Sequence, residues 1–130
     1  MWFEADEVGA PTIIYEQGGG TNNHAIALGL GRAITAQAAD AGQPFLISQS
    51  NFQAVANRAY MVTHVWQHQS IHGGTGNRIL LYVNGVLNDT VELDGTATFP
   101  SHTGSIVVGN AIDALQSYNG SVLNLSLIHI

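Results

Sequence analysis

The sequence contains no cysteine and no lysine. The first absence excludes disulfides, thiolate metal sites and cysteine nucleophiles, while leaving the compartment open, since many secreted proteins also lack cysteine. The second leaves three arginines against nine acidic residues and a formal charge of −6. A surface that neutralises many phosphates is hard to assemble from such a set, so nucleic acid is excluded as a partner. Charge of either sign is scarce. Only 9% of residues are charged, against about a quarter in an ordinary domain, and Gly, Asn, Gln, Ser and Thr supply the polarity, as is common in extracellular β modules. No apolar run approaches the ~18 residues that a membrane helix needs, which argues against membrane insertion. Nor does a basic region lead into an apolar segment and a small-residue cleavage site at the N-terminus. A length of 130 residues suits one domain with a modest core.

What is present is strand pattern. The stretch from Asn77 to Leu87 is rich in β-branched and aromatic residues and contains Asn84-Gly85, the dipeptide that best accepts positive φ at both central positions of a type I′ turn. Ile79, Leu81 and Val83 point one way, Leu80 and Tyr82 the other, so both faces are apolar and the strand belongs inside a sheet. Tyr60 to Gln69 precedes it across a polar tip, and Val86 to Leu93 returns from the turn, which predicts a three-stranded meander. Further strands are read at Pro11 to Gln17, His24 to Leu30, Arg32 to Ala38, Phe45 to Ile47, Ser105 to Gly109 and Ser121 to Asn124. The small face Ala25, Ala27 and Gly29 implies a close neighbour. One short helical turn is expected within Asn51 to Asn57. Some ten short strands at regular spacing predict an all-β, two-sheet sandwich. Gly18-Gly19-Gly20 and Gly73-x-x-Gly76 lack a following helix and lysine and are turns rather than phosphate cradles.

The segment Leu80-Leu81-Tyr82-Val83-Asn84-Gly85 resembles the corresponding strand and turn of laminin G-like domains. The likeness extends in order to Trp2-Phe3, Ile13-Ile14-Tyr15-Glu16-Gln17-Gly18-Gly19, Ile106-Val107-Val108-Gly109-Asn110 and Tyr118-Asn119-Gly120-Ser121-Val122. It implies a concanavalin A-like antiparallel jelly roll, truncated at both ends, covering residues 1–124. It also implies an extracellular or cell-surface setting. Met1 is expected to be internal to a longer protein. Leu125-Ser126-Leu127-Ile128-His129-Ile130 reads as the translation of a transposon end used in DNA library preparation, so residues 125–130 are set aside from functional reasoning.

Related jelly-roll glucanases carry Glu-x-Asp-x-x-Glu on one strand, and Glu92-Leu93-Asp94 matches the first part of that pattern. Retaining hydrolysis needs two carboxyl groups about 5 Å apart. Here Gly95-Thr96-Ala97-Thr98 follows instead of the third acid, so Glu92 and Asp94 read as a solvated strand edge and a turn. His64, Trp66 and His68 share a strand face, but imidazoles four residues apart on a strand stand roughly 13 Å apart and cannot share one ion. His24 and His102 read as isolated. No Gly-x-Ser-x-Gly elbow is present. Trp66, Tyr60, Tyr82 and Tyr118 read as core aromatics more readily than as sugar platforms. The resemblance therefore implies a non-catalytic module that binds a glycan or an extracellular protein through rim loops, with Asn22, Asn23, Gln43, His72, Asn77 and Asn110 as candidate contacts. Asp40, Asn110 and Asp113 occupy loops of the kind that hold calcium in members that bind it. A jelly-roll hydrolase fragment and a structural spacer repeat are the alternatives.

Overall fold

The computed structural model describes residues 1–19, 22–39, 46–67, 73, 76–92, 106–109 and 118–124. Among them ten strands form two antiparallel five-stranded sheets around one main apolar interior. They are β1 (Trp2–Ala5), β2 (Thr12–Gly19), β3 (Asn22–Leu28), β4 (Ala33–Ala39), β5 (Leu46–Gln53), β6 (Ala59–Gln67), β7 (Arg78–Val83), β8 (Val86–Glu92), β9 (Ile106–Val108) and β10 (Gly120–Asn124). One sheet runs β10-β1-β6-β7-β8 and the other β5-β4-β3-β2-β9. The expected all-β sandwich is the observed architecture.

The meander is present as read. β7 lies between β6 and β8, with Ile79, Leu81 and Val83 buried in the interior and Leu80 buried on the opposite face. Asn84 (φ 53°) and Gly85 (φ 78°) both adopt positive φ, as a type I′ turn requires. The turn is also tied sideways to β6: Asn84 N–H donates to the Met61 carbonyl at 2.8 Å, and Met61 N–H donates to Asn84 Oδ1 at 2.9 Å. In β2 a register shift between Ile13 and Tyr15 lets both Ile14 and Tyr15 join the core. The close neighbour is seen just past β3, at Gly29, where a Cβ would stand 3.1 Å from the Thr35 methyl of β4.

β5 departs from expectation. It is eight residues long rather than three, and Asn51 to Gln53 are extended rather than helical. The reason lies in its inward residues. Ser48 and Ser50 are buried, so the alternation is real but written in a polar residue that a hydrophobicity reading skips. The serines are satisfied by backbone: Ser48 Oγ donates to the Ala36 carbonyl at 3.3 Å and Ser50 Oγ donates to the Phe52 carbonyl at 2.7 Å. Between Ala33 and Thr35 the register slips, because one residue of β4, Ile34, opposes three of β5, Ser50 to Phe52. There Ser50 Oγ accepts from Ile34 N–H at 2.9 Å, in place of a ladder carbonyl. Ser50→Ala removes that acceptor from a fully buried site and is expected to lower stability by about 1–3 kcal/mol, read as a shifted midpoint in urea with unchanged slope. An unchanged midpoint would mean that another group takes the Ile34 amide.

β5 and β8 are edge strands of different sheets, and side chains join them. Asp89 Oδ2 accepts from Gln49 N–H at 2.8 Å, and Asn88 Oδ1 accepts from Asn51 N–H at 3.4 Å. Edge amides that would otherwise be open to another strand are thus occupied from within the molecule. At another margin of the sheet β10 pairs with β1, placing Gly120 opposite Ala5. Tyr118 introduces this strand: its hydroxyl donates to the Glu4 carbonyl, and its ring meets Phe3 edge-on at 6.4 Å. Gly120 has φ 149°.

Candidate functional site

At the end of the sandwich that carries Asn84-Gly85 an open cleft of about 480 Å³ lies between the two sheets' edges, within the ~300–1,000 Å³ common for small-molecule sites. One wall is the end of β5, with Asn51, Phe52 and Gln53; the other is the β7–β8 hairpin, with Asn84, Val86 and Asn88. Arg58 and Tyr60 complete it. The walls are made locally by a strand end and a tight turn, and globally by the Asn51 to Asn88 hydrogen bond that brings them together.

Its chemistry is that of amides beside aromatic rings. Phe52 and Tyr60 stack at 5.9 Å, and Tyr60 in turn packs on Phe3 at 5.7 Å. The Tyr60 hydroxyl accepts from Val55 N–H at 2.8 Å, which pins the connection between β5 and β6. Over the Tyr60 ring, 5.7 Å from its centre, stands the guanidinium carbon of Arg58, within cation–π range. Four amide side chains, each able to donate and accept, therefore share the cleft with one cation and one half-buried ring edge. Among the described residues no carboxylate lines it.

The residues singled out from sequence lie elsewhere. Asn22 and Asn23 open β3 at the opposite end of the sandwich, where Asn23 pairs with Ala39. Asn77 stands at that same end, just before β7, and is buried at 7% exposure rather than offered to solvent. Gln43, His72 and Asn110 lie outside the described residues, as do the calcium candidates Asp40, Asn110 and Asp113. Asp94, His68, His102 and residues 125–130 also lie outside them. Glu92 is 62% exposed and 3.9 Å from Arg78, in keeping with a solvated strand edge. Tyr60 is buried, Trp66 packs on Ala38 and Ile79, and Tyr118 packs against the main core. These three aromatics are structural, as read.

One reading is corrected. His24 is not an isolated marginal residue: it is buried on β3, and its ring lies 6.1 Å from that of His64 on β6, across the interior. His64 Nε2 is buried with no hydrogen-bond partner, and burial pushes its pKa down to about 4. Forty positions separate the two histidines, so no local pattern announces the pair. Among the described residues no cluster of three or more His, Asp or Glu is placed to hold a metal.

The cleft residues were missed for a related reason. Asn51 and Gln53 lie in a segment whose sequence predicts a helical turn, and Asn84 is accounted for by its turn. The available signal was amide density on both sides of the hairpin.

No family model matches the chain, and no curated protein matches it. Among solved structures it is similar to a native heptameric SAP-like pentraxin from Limulus polyphemus, at TM-score 0.63 and 17% identity. The alignment covers 92% of this chain and 57% of the pentraxin chain. At that identity the likeness concerns fold alone, a two-sheet antiparallel jelly-roll sandwich.

Proposed function

We propose that this chain is a non-catalytic recognition module, laminin G-like in kind, which binds a glycan or a protein as part of a larger secreted or cell-surface protein. The observation that carries the reading is the amide-lined cleft between β5 and the β7–β8 hairpin. It offers donors, acceptors and a ring edge on paired strands, which is what holding a sugar or peptide without reacting with it requires. Glu92 supports the same reading: its exposed side chain lies on the strand face opposite Val91, which packs against the interior. The lectin-like sandwich is a fold that hosts such sites, although fold alone does not assign a ligand. A calcium ion at Asp40, Asn110 and Asp113 belongs to the proposal on the strength of the laminin G-like resemblance alone.

The test pairs glycan-array binding, with and without chelator, with reducing-sugar release from laminarin and lichenan. Binding without sugar release is the expected result, and chelator should weaken it if calcium orders the rim. Sugar release that disappears in Glu92→Gln would replace the recognition module with a hydrolase, and a chain that neither binds nor cleaves would be a spacer.

A further inference from the structure

The cleft's single cation narrows the ligand class, an inference that rests on the recognition reading above. The chain has three arginines and no lysine: Arg32, Arg58 and Arg78. Arg78 is engaged: its Nε donates to Gln67 Oε1 at 2.6 Å, and Glu92 lies 3.9 Å away. Arg58 is exposed and, among the described residues, has no carboxylate within ion-pair distance. Its place is nevertheless set, because the guanidinium stands over the Tyr60 ring, and that ring is fixed between Phe3 and Phe52 and through its hydroxyl.

We propose that the cleft takes a carboxylate-bearing sugar, a uronic acid within an oligosaccharide, with Arg58 holding the carboxylate and the neighbouring amides holding the ring hydroxyls. A planar guanidinium presents two parallel N–H donors to the two oxygens of a carboxylate. Asn51 and Gln53 supply neutral groups that both donate and accept, as vicinal hydroxyls do. Asn84 Oδ1 and Asn88 Oδ1 already accept from Met61 and Asn51 N–H, and Asn88 Nδ2 donates to the Val86 carbonyl, leaving each at least one N–H and a lone pair. Overall charge sets the limit on the other side. A dense polyanion such as a heavily sulfated chain or a nucleic acid would extend beyond one guanidinium onto a protein of formal charge −6, whereas a single carboxylate is screened from distant charges beyond about 10 Å at 0.1 M salt.

The experiment titrates the intact chain with trigalacturonate and with its fully methyl-esterified form, its neutral counterpart, following side-chain amide signals by NMR in 50 mM and 500 mM salt. Arg58→Gln is compared alongside, with a urea midpoint to verify that this exposed substitution leaves the fold intact. Trigalacturonate should bind about tenfold more tightly than its methyl ester at low salt. That preference should vanish in Arg58→Gln and shrink at high salt, and Gln53→Ala should weaken both sugars. Equal binding of the two sugars by the parent would overturn the acidic preference and leave the recognition site standing. Retained preference in Arg58→Gln would remove Arg58 as its source. Dense sulfated chains binding better than trigalacturonate would overturn the single-carboxylate assignment. Absence of shifts in Asn51, Gln53, Asn84 and Asn88 with either sugar would sink both the inference and the cleft as the site of recognition.

Discussion

Replacing Gly120 by alanine is expected to lower stability by at least about 3 kcal/mol, placing it among the largest single-site effects this domain can show. A Cβ built at this position stands 2.2 Å from the Glu4 carbonyl oxygen and 2.6 Å from the Tyr118 hydroxyl. Neither is the loose end of a flexible chain: one is backbone of the neighbouring strand, and the other is the group hydrogen-bonded to that same carbonyl. Relief requires β10 to move away from β1, which breaks the ladder and withdraws Tyr118 from Phe3. The φ of 149° adds strain for any residue with a side chain. Chemical denaturation of Gly120→Ala beside Ser121→Ala makes the comparison, since the neighbouring exposed serine should tolerate the change within about 0.5 kcal/mol. Equal midpoints for the two variants would show that β10 contributes little to the fold. Burial and the nearby Asp6 push the Tyr118 pKa up to about 12, so the hydroxyl stays protonated and donating at any ordinary pH.

Acidification should destabilise the protein through His64. Above pH 6.5 the imidazole is neutral in both folded and unfolded chains and has no influence on the balance. As the pH falls, the unfolded chain takes up a proton at the ordinary value of 6.5, while the folded chain, desolvated around Nε2, does not until about pH 4. Stability is therefore lost progressively between pH 6.5 and 4 and the loss levels off below, reaching about 3 kcal/mol in total. His64→Leu removes the titrating group and replaces an unpartnered polar atom with an apolar one, so stability at pH 7 should be unchanged or higher. Comparing urea midpoints of parent and variant from pH 7.5 to 4 separates this contribution from carboxylate protonation, which both share. Parallel curves would mean that His64 gains a proton acceptor or solvent on acidification.

The sequence was most legible where the determinants are local. Leu80 to Gly85 carries its own strand, both its faces and its turn within six residues, and each stands as read. β5 was legible only in part, because Ser48 and Ser50 fill inward positions by bonding to the backbone of β4 rather than by being apolar. The histidine pair and the cleft were illegible for a different reason. His24 meets His64, and Asn51 meets Asn88, only once two sheets have been laid face to face, and nothing in the spacing of those residues distinguishes them from surface polar residues. The laminin G-like resemblance implied a two-sheet antiparallel jelly roll, and two such sheets are present; the described rim residues it pointed to, Asn22, Asn23 and Asn77, stand at the end away from the cleft, with Asn77 buried.

The join between Asn88, Asp89 and the edge of β5 bears on how anything would enter the cleft. Its two walls belong to different sheets, yet the Asn88 and Asp89 hydrogen bonds already join them within the fold. Association then needs no closing motion, and the entropy of bringing the walls together is spent during folding rather than during binding. The arrangement favours lock-and-key entry with rapid exchange over a slow clamping step. It also sets a constraint, because Asn88 is both a wall of the cleft and half of the clasp: a ligand that recruits its carboxamide oxygen competes with Asn51 N–H, and one that uses only its amide nitrogen leaves the clasp shut.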